Sequence, residues 1–291
     1  MRKRPGFGSL LIIGGHEDKD DDKTILRMLV KKVGKAGKIV VATIASGEPE
    51  GSFHEYERCF RGLGARHVHH LSIDSREEAQ LDSRVSILSG ADAVFFTGGD
   101  QIKITSQIGD TPVYTRVREI FEGGGVIAGT SAGASVMTET MMVAGAGDES
   151  HRIGSTLRLA PGFGLLPGVI VDQHFAQRGR IGRLLGAIAQ NPRMLGLGLD
   201  EDSAILVRRG RFQVLGSGAV YVVDGSKVTF SNINEAEPDL PLCIYGIRLH
   251  VLNQSDKFDI KTRRPRYHPE NEIKEFLGIE TTEHKKEAAE K

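Results

Sequence analysis

The chain has 291 residues, with 38 lysines and arginines against 38 aspartates and glutamates. Zero net charge gives no bulk attraction to nucleic acid or to an anionic membrane, and there is no aromatic–basic platform to supply one locally. With only two cysteines, Cys59 and Cys243, a disulfide framework and a Cys-rich zinc site are both excluded.

After a basic start, the apolar run 10–13 is too short for a signal-peptide core or a membrane span and reads as a first buried strand. A soluble, reduced, cytoplasmic protein is expected. The strand "SLLII" (9–13) leads through "GGHEDKDDD" into a helix over 23–33. "KIVVATIA" (38–45) is a strand, 52–63 a helix, "HVHHLSI" a shorter strand and 76–88 a helix. "ADAVFFTGGD" is a strand ending in a Gly-Gly turn, followed by helical sequence to Phe121, then by the strand and turn of "GVIAGTSAG". The segment Glu17 to Lys23 reads as a solvated acidic loop or helix start. Continuous apolar strands separated by helices predict βαβ units and a mostly parallel sheet covered on both faces. Ligands of such sheets sit outside the carboxyl ends of the strands. Gly14-Gly15, Ser46-Gly47, 97–100, 129–133 and 172–174 all fall at such ends.

The second half changes character. A helix-like "RIGRLLGAIAQ" precedes short β-type runs joined by "RRGR" and "GSG", which predict hairpins. These antiparallel strands are expected to extend one edge of the sheet. The charged stretch 271–291 reads as a helix and a frayed tail, flexible from about 280. With no internal repeat and no long linker, residues 1–291 read as one α/β domain.

Chemistry concentrates at Gly129-Thr130-Ser131-Ala132-Gly133, a G-x-S-x-G pattern. The pattern gains meaning when a strand precedes it and a helix follows. "GVIA" precedes it, and "GASVMTETMM" can start a helix. A nucleophilic serine on so sharp a turn needs small neighbours, and the amide of Ala132 can then face a developing oxyanion at a helix N-terminus. The plainer alternative is a packing corner with an idle serine.

A nucleophilic serine needs a base, and the base an orienting group. Of the ten histidines, His67, His69 and His70 share one strand, where a polar face is the better reading than a metal site, since no cysteine or carboxylate lies at ligand spacing. His54, His151, His250, His268 and His284 have no strong context, and His16 stands where it could line the site. His174 ends the strand "GVIVDQHF", which places it on the same sheet edge as Ser131. "LGLGLDEDSAI" supplies the acids Asp200, Glu201 and Asp202, between which the pattern does not choose. The order Ser, His, acid differs from that of α/β-hydrolases, chymotrypsin and subtilisin.

These motifs, in this order, resemble the cyanophycinase family of serine peptidases over nearly the whole chain. "GGHEDK" (14–19), "FFTGGDQ" (95–101), "GTSAGAS" (129–135), "DQHFAQRGRIGRL" (172–184) and "GLDEDSAI" (198–205) carry the resemblance, with His16 and Asp202 as small departures. It implies a flavodoxin-like three-layer sandwich related to class I glutamine amidotransferases, with serine in place of cysteine. It assigns Ser131 as nucleophile, His174 as base and Glu201 as orienting acid, with an oxyanion hole from the amides of Gly99 and Ala132. It marks Gln101, Asp172, Gln173, Arg178, Arg180 and Arg183 as substrate residues, and implies a homodimer with neither metal nor cofactor. The implied substrate, cyanophycin, is a polyaspartate backbone with arginine on each β-carboxyl. Each of its units carries a guanidinium and a free α-carboxylate. Arginine suits bidentate binding of a carboxylate, and Asp172 suits a guanidinium. The expected reaction is exopeptidase release of β-Asp-Arg dipeptides. An aspartyl dipeptidase of the same superfamily, and a non-catalytic binding protein that kept the fold, are the rival readings.

Overall fold

The computed structural model describes residues 8–144, 157–235 and 240–266. His151, His268, His284 and the charged stretch 271–291 lie outside them.

Five parallel strands form one side of a nine-stranded sheet: β1 (Ser9–Ile13), β2 (Lys38–Ala42), β3 (His67–Leu71), β4 (Ala93–Phe96) and β5 (Val126–Thr130), in the spatial order β1-β5-β4-β2-β3. β1, β4 and β5 are buried throughout, which is why their sequences are continuous apolar runs. The edge strand β3 instead alternates, burying Val68 and Leu71 and exposing His67 and His69.

Consecutive strand residues point to opposite faces and join separate apolar clusters. Leu11, Ile13, Val41 and Phe95 pack under helices α1 (Thr24–Val33) and α2 (Pro49–Gly62). Ile25, Leu26, Leu29 and Val30 give α1 its buried stripe. Leu10, Ile12, Val94 and Phe96 face the other way, toward α3 (Asp82–Ile87), α4 (Gln101–Ile108) and α5 (Pro112–Glu122). The helix expected over 76–88 is divided: a 3₁₀ turn at Glu78–Gln80 and α3 are separated by Leu81, whose backbone is extended. The helical stretch to Phe121 also breaks, at Asp110 with φ 56°. Thr111 then caps α5 and Pro112 opens it.

On the β1 side the sheet continues antiparallel, as expected, through β10 (Ser203–Arg208), β11 (Arg211–Gly216), β16 (Lys257–Asp259) and β17 (Arg264–Arg266). The "RRGR" hairpin turns on Arg209 and Gly210, both at positive φ.

The remaining strands depart from expectation. β8 (Val169–Gln173), β9 (Leu195–Leu199), β12 (Val220–Asp224) and β15 (Arg248–Leu252) do not join that edge but form a second sheet, in the order β15-β12-β9-β8. One face, with Val169, Val171, Leu195, Leu197 and Val222, packs into the cluster that holds Val94 and Ile127 of the large sheet. Helix α7 (Ile181–Gln190) covers the other face through Leu184, Ala187 and Ile188. The "LGLGL" of β9 turns its glycines toward α7, and a Cβ at Gly198 would lie 2.5 Å from the Phe175 ring. The helix–sheet–helix sandwich of a mixed α/β protein is therefore present, with a further sheet and helix stacked on one side. Short strands β6 (Thr140–Ala144) and β7 (Arg158–Pro161) pair with each other, as do β13 (Phe230–Ser231) and β14 (Ile244–Tyr245).

Candidate active site

Ser131 follows β5 directly and has φ 51° and ψ −109°, a left-handed backbone that a non-glycine residue adopts only under constraint. Its amide donates to the carbonyl of Ile13 at 3.1 Å, and its own carbonyl accepts from the amides of Ala134 and Ser135. The helix that follows, α6 (Ala132–Ser135), is a single turn rather than the longer helix the sequence allowed. Its chain then runs through the β-branched Thr138 and Thr140 into β6. Gly98 lies beside the serine, so that an added Cβ would sit 3.6 Å from that of Ser131. The Gly98-Gly99 turn thus lies on one side of the serine, and Ala132 follows it in the chain.

Beneath the elbow lies a group not anticipated from sequence. The carboxylate of Glu17 is 3% exposed and accepts hydrogen bonds from Tyr56 and from Thr130, both at 2.6 Å. Thr130 immediately precedes Ser131. Burial and the neighbouring Glu17 charge push the Tyr56 phenol well above its usual range, so it stays a donor. Asp18, next along, accepts from the amides of Asp20, Asp21 and Lys23 and folds the acidic segment into a tight loop.

His174 follows β8 of the small sheet, not a strand end of the sheet that carries Ser131. The two residues meet because the sheets are stitched together at Gly14 and Gly15. The His174 amide donates to the Gly14 carbonyl at 2.8 Å, the Asp202 amide to the Gly15 carbonyl at 2.9 Å, and the Gly14 amide to the Ser203 carbonyl at 2.8 Å. In this setting Nε2 of His174 lies 3.0 Å from Ser131 Oγ, and Nδ1 lies 2.7 Å from Glu201 Oε1. A carboxylate only accepts, so the proton of the second contact sits on Nδ1 and leaves Nε2 facing the serine hydroxyl. Burial depresses the His174 pKa; the hydrogen bond it donates to Glu201 acts in the opposite direction. The imidazole is accordingly neutral and able to accept a proton near neutral pH.

Each of the three neighbouring acids has a different task. Asp200 is buried and accepts from the amides of Ala176 and Ala219; Asp202 accepts from the Asp18 amide and the Ser217 hydroxyl; Glu201 alone reaches His174. Gln177, which sequence reasoning missed, receives the Glu201 amide on its side-chain oxygen at 3.1 Å.

The residues expected to meet substrate divide. Asp172 is fully buried, and both its oxygens are taken by Arg183, itself 7% exposed. Arg180 adds a contact to Asp172 at 3.2 Å and donates to the Gln173 carbonyl at 2.5 Å. Burial pushes the Arg180 pKa down to about 10, which still leaves it charged. Arg178 is exposed, and Gln101 is half-buried with its amide on the Met142 carbonyl. Gln173 is buried beside Arg180.

Of the other histidines, His67 and His69 stand exposed on β3, and His70 bonds Thr43 and stacks on Phe53. Among the described residues, the one group of side chains spaced to hold a metal ion is His16, His174 and Glu201. No helix among them is long and apolar enough to cross a membrane.

The model of Peptidase family S51 matches residues 10–215. The chain is 40% identical over 258 residues to a cyanophycinase from Nostoc sp., an alignment spanning 88% of this chain and 86% of that protein. It is 36% identical over 260 residues to a cyanophycinase from Synechococcus elongatus, spanning 88% and 80%. Among solved structures, a peptidase from an acI-B1 Actinobacterium shares the fold with a TM-score of 0.61 at 21% identity, covering 86% of this chain and 98% of that one.

Proposed function

The chain belongs to peptidase family S51, and from that premise we propose that it hydrolyses cyanophycin with Ser131, His174 and Glu201 as its catalytic triad. The observation that carries the assignment is the alignment of the three side chains, at 3.0 Å from serine to histidine and 2.7 Å from histidine to glutamate. Ser131 Oγ attacks a backbone α-peptide carbonyl of the polyaspartate chain as Nε2 of His174 takes its proton. The tetrahedral oxyanion is held by the amides of Gly99 and Ala132. His174 then passes the proton to the leaving amine, and Glu201 stabilises the imidazolium throughout. Water, deprotonated by the same imidazole, releases the acyl group and regenerates the serine. The product is the β-Asp-Arg dipeptide, taken from a chain end.

The exposed Arg178, and Arg180, whose guanidinium also contacts Asp172 and the Gln173 carbonyl, are assigned to the substrate's α-carboxylates, and Gln101 and Gln173 to its backbone amides. Asp172 and Arg183 serve the substrate indirectly, by holding Arg180 and the strand that ends in His174. We further propose a homodimer acting in the cytoplasm as a single catalytic domain. The exposed apolar side chains of Phe230, Tyr245, Leu249 and Val251 supply a surface for self-association, and both cysteines are free, as a reducing compartment would keep them.

The test is clearing of a purified cyanophycin suspension by the wild type and by Ser131→Ala. Clearing by the wild type alone, with β-Asp-Arg in the supernatant, is the expected result. Clearing by both proteins would remove Ser131 as the nucleophile. Labelling of Ser131 by a fluorophosphonate without clearing would keep the nucleophile and overturn the polymer as substrate.

A further inference from the structure

His16, His174 and Glu201 each bring one ligand atom to within 4.8 Å of the others. His16 Nε2 lies 3.9 Å from Glu201 Oε1, and the imidazoles of His16 and His174 meet edge to face with centroids 5.2 Å apart. Two imidazole nitrogens and one carboxylate oxygen form a donor set that zinc accepts at about 2.0–2.2 Å, with water in the fourth position. Tetrahedral ligation at that length places ligand atoms roughly 3.4 Å apart. The spacing from His16 to Glu201 is already near this value. That from His174 to Glu201 needs only to open from a hydrogen bond.

The backbone around His16 is held on both sides. The carbonyls of Gly14 and Gly15 are bonded to the amides of His174 and Asp202, and Glu17 is anchored by Tyr56 and Thr130. The ring it presents is open to solvent: the His16 side chain is 70% exposed and that of Glu201 31%. A metal ion therefore has a route to ligands whose backbone positions are already set.

We propose that these three side chains form a zinc site whose occupation stops catalysis. Zinc on either nitrogen of His174 ends its service as a base. On Nδ1 it displaces the bond to Glu201, and on Nε2 it displaces Ser131. Zinc exchanges its waters for the three ligands; where it binds Nδ1, the proton there passes to Nε2 or to solvent, and where it binds Nε2 no proton leaves the ring. His16 is the ligand that makes the set tridentate. Magnesium, which prefers an all-oxygen octahedral shell, does not replace zinc here. Binding stands on the geometry alone, whereas inhibition rests on the triad reading above.

The experiment titrates zinc chloride, with free zinc buffered by a chelator, against wild type and His16→Ala, each scaled to its own zinc-free rate. Calorimetry with zinc alone is run in parallel on Ser131→Ala and on Ser131→Ala/His16→Ala. The expected result is one zinc per chain on Ser131→Ala, inhibition of the wild type reversed by EDTA, and about a tenfold or greater rise in the inhibitory zinc concentration on losing His16. Equal zinc sensitivity and equal zinc binding with and without His16 would overturn the proposal. Zinc binding that depends on His16, with a wild-type rate that saturating zinc leaves unchanged, would uphold the site and overturn His174 as the base.

Discussion

The ring of His174 packs against the α-carbon of Gly15, so closely that a Cβ at Gly15 would stand 2.5 Å from Nε2. Gly15 also has φ 104°, a conformation that costs a side-chain-bearing residue roughly 1–2 kcal/mol. Gly15→Ala should therefore fold with a lowered melting temperature and push the imidazole off the serine. The expected loss in kcat/KM is about 10²-fold, the scale of a misplacement near 1 Å. Kinetics alongside a thermal melt would check it; an alanine variant with full activity would show that the ring has room to spare.

The acid limb of the pH–rate profile reports the base. With His174 as the proposed base, activity requires its neutral form, so the rate should rise with pH through its pKa. Burial depresses that pKa, so the midpoint in kcat/KM should fall below about 6.5, the ordinary imidazole value. The Glu201 hydrogen bond and charge raise it, and Arg178 and His16 lower it. Glu201→Gln should thus move the limb further toward acid while kcat drops by about 10⁴-fold, as when the orienting acid of a triad is neutralised. Arg178→Ala should move the limb toward neutrality. Profiles measured with a chelator present would reveal a shift of the wrong sign.

Glu17 offers a test of support from below Ser131. In Glu17→Gln the oxygen facing Thr130 or Tyr56 becomes an NH₂ group, and one hydroxyl loses its acceptor. A stability loss of about 1–3 kcal/mol is expected, the scale of one unsatisfied buried group. Because Thr130 adjoins Ser131, kcat should fall with little change in KM. Denaturant unfolding and steady-state kinetics on this variant and on Tyr56→Phe would separate the two effects: Tyr56→Phe also unpairs the carboxylate but leaves Thr130 bonded.

The arginines should separate by burial. Asp172→Ala leaves the Arg183 guanidinium buried without its anion and should destabilise by about 3–5 kcal/mol. Arg183→Lys keeps the charge but loses the two-pronged contact to both oxygens of Asp172. The exposed Arg178→Ala should melt like the wild type and act on KM for the polymer. Urea midpoints and KM values for the set would contradict this division if Asp172→Ala proved as stable as Arg178→Ala.

Much of this site was legible in the sequence because its chemistry is local. Ser131 is marked by small residues on both sides, and His174 by a polar tip on an apolar strand. What stayed hidden was pairing between distant segments. Runs such as "GVIVDQ" and "LGLGL" are equally apolar whether they extend an existing sheet or begin another, and only the outward glycines of β9 hint at the close cover of α7. Strand alternation could not sort Asp200, Glu201 and Asp202, because the chain turns there, with Asp202 at φ 47°. The helix assigned after the elbow ended early because "VMTETMM" turns into β6. Glu17 was read as part of a solvated acidic run, and its burial depends on Tyr56 and Thr130, 39 and 113 residues away.

The seam between the two sheets has a consequence for the life of the chain. Ser131 belongs to one sheet, His174 emerges from the other, and Glu201 stands where the chain crosses between them. During synthesis the elbow is complete long before its base exists, and the base before its acid. If the proposed triad holds, a chain that stops before Glu201 lacks its acid, and an opening that parts the small sheet from the large one separates His174 from the serine while leaving the serine in place. On the proposed triad, hydrolysis is thus a property of the two sheets joined, not of either one alone.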